Sequence, residues 1–132
     1  MQVSIAVGDI AHCAFEATIY FDELLTCKHK KVTKYKDNGW KTEDYVKKTL
    51  FSILKSLEGK CQSVAIECPF TPKFSMFYGT DLARRYVCEW VVEVVQKFET
   101  SSFTEIALIC EAGEYKELKI LAKEKLSCKV NV

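Results

Sequence analysis

A chain of 132 residues is the length of one ordinary domain, long enough to bury a core without disulfide or metal staples. Its 48% hydrophobic and 28% charged residues match a soluble globular protein and exclude a disordered one, and no apolar run reaches the roughly 18 residues of a membrane span. Nineteen Lys and Arg against eighteen Asp and Glu leave a net charge of +1, too small by itself to argue for nucleic acid or an anionic membrane. A single domain, residues 1–132, is expected, with no membrane partner.

In chain order, Val3-Ser4-Ile5-Ala6-Val7 alternates as a strand does and is closed by Gly8-Asp9. From Ala14 to Phe21, Phe15, Ala17, Ile19 and Phe21 recur at period two, with Glu16, Thr18 and Tyr20 on an opposite, wetter face. The pattern then breaks into loop from Thr26 to Trp40, with a short strand around Lys31 to Tyr35 and a turn at Asp37-Asn38-Gly39.

Helical spacing begins after Thr42, an N-cap residue followed by Glu43 and Asp44. Val46, Leu50, Ile53, Leu54 and Leu57 form its apolar stripe and Gly59 its stop. Ser63 to Cys68 reads as a strand that Pro69 ends. Residues 69–78 carry both prolines, so no regular element crosses them. Thr80 and Asp81 open a long helix with Leu82, Ala83, Tyr86, Val87, Trp90, Val91, Val94, Val95 and Phe98 on one face. Arg84 and Arg85 fall on its polar face, where ion pairs with Asp81 or Glu89 are the expectation.

Phe103 to Cys110 gives a further strand. Gly113-Glu114 leads into a last helix with Tyr115, Leu118, Leu121, Ala122 and Leu126 inward, and residues 129–132 add an edge strand. Alternating strand and helix in the second half predicts an α/β sheet with right-handed crossovers, and the first two strands are expected to include an antiparallel or edge member. A loop at a strand's carboxyl end, before a helix, is where open α/β sheets place ligands, which directs attention to residues 69–80.

The seven cysteines are Cys13, Cys27, Cys61, Cys68, Cys88, Cys110 and Cys128. An odd count, the lack of a Cys-x-x-Cys pair, the lack of a leader pattern at Met1–Ser4 and the placing of Cys88 and Cys110 in apolar runs favour reduced thiols in a cytoplasmic or nuclear protein. His12, Cys13, Cys27 and His29 match zinc-ligand spacing poorly, and neither a metal nor another cofactor is expected.

Two stretches carry unusual side chains. Lys28, His29, Lys30, Lys31, Lys34 and Lys36 meet no acid before Asp37, and with Tyr35 and Trp40 nearby the five lysines are candidates for tracking a phosphate backbone. A solvated loop is the commoner meaning of such a run. Phe70, Met76, Phe77 and Tyr78, with Phe74, are more large apolar groups than a loop of that length needs, and are candidates for a contact surface with another protein. There is no Gly-x-Ser-x-Gly elbow, His-Glu-x-x-His or phosphate-binding Walker loop.

Val3 to Ile10 with its Gly8-Asp9-Ile10, then Phe15-Glu16-Ala17-Thr18-Ile19, resembles the opening of an ADP-ribose-binding macrodomain. The resemblance resumes over Tyr45 to Gly59, Ser63 to Ile66, Leu82 to Arg85 with the helix after it, and Phe103 to Ile109 with Tyr115, covering about three quarters of the chain. It implies a three-layer α/β/α domain with a mixed, mostly parallel central sheet. It also implies that Asp9, Ile10 and Tyr115 lie at the adenine end of the site, and that Thr71, Lys73, Phe74 and Ser75 occupy the phosphate loop.

The family's Asn-Ala-Ala-Asn segment and glycine-rich loops are missing: Tyr20 to Leu25 and residues 71–75 stand in their place. Pro72 offers no N–H to a diphosphate and Phe74 brings bulk where glycine would let the backbone approach. The expectation is a non-catalytic macrodomain-like interaction module with a degenerate ADP-ribose site that works through protein contacts and lacks ADP-ribosyl hydrolase activity. Two alternatives stand beside it: a reader of ADP-ribose, or of proteins carrying it, with a rearranged phosphate loop, and an RNA or phosphate-backbone binder using the lysine run.

Overall fold

The computed structural model describes residues 1–8, 15–20, 26–27, 43–68 and 80–132. Strand β1 (Gln2–Val7) is followed by β2 (Ala17–Tyr20), β3 (Thr26–Cys27), α1 (Glu43–Leu57), β4 (Ser63–Glu67), α2 (Thr80–Gln96), β5 (Glu105–Cys110), α3 (Ala112–Lys125) and β6 (Lys129–Asn131). The expected short strand at Lys31 to Tyr35 lies outside the described residues.

The strands form one sheet in the order β3-β2-β4-β5-β1-β6. Its body of five strands, from β2 to β6, is parallel throughout. The mixed sheet expected from the sequence is corrected accordingly: the antiparallel pairing among the described residues is the edge strand β3 against Ile19 and Tyr20. Neither β1 nor β2 is the antiparallel member. β1 lies between β5 and β6, parallel to both, because its Val3 and Ile5 are needed in the core.

Cross-strand register sorts the side chains into two unlike faces. On one, Ala17, Val64, Ile106, Val3 and Val130 form a row across five strands, and Ile19, Ile66, Leu108 and Ile5 form the next. These rows join Val46, Leu50, Ile53, Leu54 and Leu57 of α1, the buried face of α2 and Leu118, Leu121 and Ala122 of α3 in a single core. All three helices therefore cover the same face, with α2 packed between α1 and α3. Right-handed crossovers require this, since β4 to β5 and β5 to β6 both step in one direction along the sheet. The second helix layer of the expected three-layer arrangement is not among the described residues.

On the other face the central row is Thr18, Ala65, Ala107 and Ser4, all small, and Asn131 continues it. Ala65 and Ala107 are buried with Ile109 in a separate cluster against which Phe15 packs. Thr18, read from the sequence as wet, is buried at 7% exposure. Toward the β6 edge this face is polar: the Ser4 hydroxyl donates to Glu105, and the Asn131 side-chain amide to Gln2 at 3.0 Å.

Candidate functional site

The order of the strands locates the place where a parallel sheet offers a crevice. β5 is continued by α3 to β6 on one side, whereas β1 leads back past β5 and β4 to β2 on the other. Between the carboxyl ends of β1 and β5 the direction of winding therefore reverses, and ligands of open α/β sheets bind at such a point.

At that edge Val7 is 55% exposed, and no atom of the described residues lies within 4 Å of where a Cβ on Gly8 would stand. The Gly8 N–H donates to the Cys110 carbonyl at 3.1 Å and the Cys110 thiol to the Ala6 carbonyl at 3.6 Å, which ties the end of β1 to β5. The Cys68 N–H donates to the Ile109 carbonyl at 2.8 Å and prolongs the β4 ladder by one residue.

The side chains under this edge are thiols and carboxylates. Cys68, Cys88 and Cys110 are buried. Burial, then the neighbouring Cys88, Cys110, Glu114 and Glu67, hold the Cys68 thiol well above its ordinary range. Burial and the carboxylates of Glu114 and Glu111 push that of Cys110 up to about 11. Both stay protonated at neutral pH, which makes them poor nucleophiles.

α3 starts here. Its N-cap, Glu111, is extended and makes no side-chain capping bond, while the Glu114 N–H donates to the Glu111 carbonyl at 3.1 Å. Glu114 is 1% exposed. Acids at the positive end of a helix favour the helix itself and oppose an anion bound there.

Of the sequence-predicted site residues, Tyr115 is described: it lies half-buried in the first turn of α3, packed against the main core. Asp9 and Ile10 directly follow Gly8 in sequence, but both lie outside the described residues. So do Thr71, Lys73, Phe74 and Ser75, the apolar group Phe70, Met76, Phe77 and Tyr78, and the lysines Lys28, Lys30, Lys31, Lys34 and Lys36. The structure adds Cys68, Cys110 and Glu114. The signal for Glu114 was present in the sequence: it stands four and seven residues before Leu118 and Leu121, on the same helical stripe.

A second concavity, a cleft of about 400 Å³, opens at the opposite, amino edge between Glu16, Gly59, Lys60, Cys61, Gln62 and Ser102. Its polar groups hold neighbouring turns. Glu16 accepts from the Gln62 N–H at 3.1 Å, Ser63 Oγ from the Glu16 N–H at 3.2 Å, and Ser102 Oγ from the N–H of Gly59, whose φ of 82° suits glycine. Among the described residues no group of three His, Cys, Asp or Glu side chains could hold a metal ion.

No family model matches this sequence, and neither a curated protein nor a solved structure is similar to it.

Proposed function

We propose that the chain is a non-catalytic, macrodomain-like interaction module whose ADP-ribose site is degenerate and which works through contacts with another protein. The observation that carries this reading is the character of the edge between β1 and β5. Beneath it lie buried thiols held in the neutral form, and Glu111 and Glu114 stand at the mouth of α3. Acids at the positive end of a helix oppose a diphosphate bound there. The sequence supports the same reading through Pro72 and Phe74, which replace the free amide and the glycine on which the family's phosphate loop depends. Tyr115 is drawn half into the core, so less of it remains for stacking on a base.

One observation favours the alternative, a reader of ADP-ribose with a rearranged loop. Val7 is exposed and Gly8 has no close neighbour among the described residues at the carboxyl end of β1, just before Asp9 in sequence, and an acidic surrounding tolerates the amino group of an adenine even where it repels phosphate.

Calorimetric titration of the full chain with ADP-ribose separates the two. The proposal expects no heat of binding at micromolar ligand. Saturable binding that disappears in Asp9→Ala would replace it with the reader.

A further inference from the structure

The basic side chains of the helix layer fall into two groups. Most of those on α1 and α2, and Lys125 at the end of α3, have acid partners: Lys47 with Glu43 and Glu93, Lys48 with Asp44, Lys55 with Glu58, Arg85 with Glu117, and Lys125 with Glu89 and Glu93. Lys97 lies over the Phe51 ring, 5.6 Å from its centroid. Lys116, Lys119 and Lys123 of α3 have no ion pair among the described residues. They recur at i, i+3 and i+7, so they line one stripe, about 10 Å long at roughly 1.5 Å of rise per residue.

This polarity follows from how α3 packs. The charged groups that can reach α2, Glu117 and Lys125, are engaged there. Leu118, Leu121 and Ala122 turn to the core, which leaves the stripe facing away from both. Ile120 lies beside these lysines, 42% exposed, one helical turn from Lys116 and from Lys123. Lysine stems are apolar up to the ammonium, so the stripe presents an apolar strip bordered by three cations, with the exposed Glu124 one turn from Ile120 on its other side.

We propose that this face of α3 docks an acidic segment of a partner protein that carries an apolar residue for Ile120. Charge complementarity supplies the acids, and the exposed isoleucine decides between partner classes. A phosphate backbone has no use for an aliphatic side chain amid its cations, whereas protein contacts are built from an apolar anchor within a polar rim. The inference rests on the interaction-module reading above and names the surface and chemistry of the contact.

The test is a titration of the ¹⁵N-labelled full chain with a synthetic peptide of glutamates and helically spaced leucines, its shuffled counterpart, and oligouridylate. The helical peptide is expected to shift the amide signals of residues 116–123. Its affinity should fall roughly tenfold or more in the triple variant Lys116→Glu, Lys119→Glu, Lys123→Glu, since each exposed pair adds a modest increment and reversal turns each into a repulsion. Ile120→Ala should weaken it several-fold, and all these positions are surface ones, so spectra elsewhere should be unchanged. Equal response to the shuffled peptide, indifference to Ile120→Ala, stronger shifts with oligouridylate, or shifts confined to other residues would each overturn the proposal. ADP-ribose binding together with a responsive stripe would overturn the degenerate-site reading alone. Silence towards both ADP-ribose and the peptide would overturn the stripe alone.

Discussion

Glu93 joins three helices. From α2 its carboxylate pairs with Lys47 of α1 and, at 3.2 Å, with Lys125 of α3. Burial alone would raise its pKa, but hydrogen bonds from the two lysines outweigh that and hold it below the ordinary carboxylate value. For Lys47, burial acts to lower the pKa, and the bonds to Glu93 and Glu43 more than offset it. A carboxyl group with a depressed folded-state pKa contributes its stability above the unfolded value, near 4.3, and loses it as pH falls through the folded one. Glu93→Gln should therefore lower stability in urea by roughly 1 kcal/mol at pH 7, a modest figure because the pair is partly in solvent. The difference from wild type should close as pH falls below the folded-state value; a gap that persists in acid would assign the loss to packing.

Cys68 and Cys110 carry the opposite linkage. A thiol whose pKa the fold raises contributes stability that is complete below the unfolded value near 8.5 and is lost as pH climbs, for Cys110 toward about 11. At pH 8 both should resist iodoacetamide in the native chain and react in urea, as peptide mass spectrometry would show. Rapid native alkylation of either would mean that the edge opens.

At the scale of elements, the two faces of the sheet should tolerate change differently. Ala107 is 2% exposed in the middle of the small-residue row, between Ala65 and Ser4. The row is buried and Phe15 packs against its cluster, so Ala107→Leu should cost about 1–3 kcal/mol by overpacking, measured by urea unfolding. A neutral substitution would mean that this face has room.

Much of the element level was legible because one periodic face met one core. Every residue of the α1 stripe, Val46, Leu50, Ile53, Leu54 and Leu57, is buried as its spacing requires. What local pattern could not carry is decided by neighbours distant in sequence. Alternation marks Thr18 as polar, but its register beside Ala65 takes it into a buried row. The sequence offers Arg85 partners on its own helix, and the structure adds Glu117 of α3 at 3.7 Å, because the helices pack side by side. At the candidate site, Tyr115 could be read from the sequence because it belongs to a regular helix. The carboxylate of Glu114 was overlooked since a buried acid contradicts the usual preference of its type.

At the scale of the whole molecule, two unlike surfaces adjoin along α3, one at its amino end and one on its outer face. The carboxyl edge is acidic with protonated thiols beneath it, and the outer stripe of α3 is basic. A partner drawn to one surface would be repelled by the other, so the docking stripe and the remnant ligand edge should respond independently: Asp9→Ala should leave peptide binding at α3 unchanged, and charge reversal on α3 should leave the carboxyl edge unaltered.

The position of β1 has a consequence for how the protein is made. Both of its hydrogen-bonded neighbours, β5 and β6, come from the last 28 residues of the chain, at positions 105–131. During synthesis β1 must wait with two unsatisfied edges until β5 and β6, both distant in sequence, have followed it. Sequence separation of that kind slows collapse and exposes the nascent chain to aggregation. Chaperone dependence in the cell should therefore follow from the winding of the sheet, whatever its mature surface comes to bind.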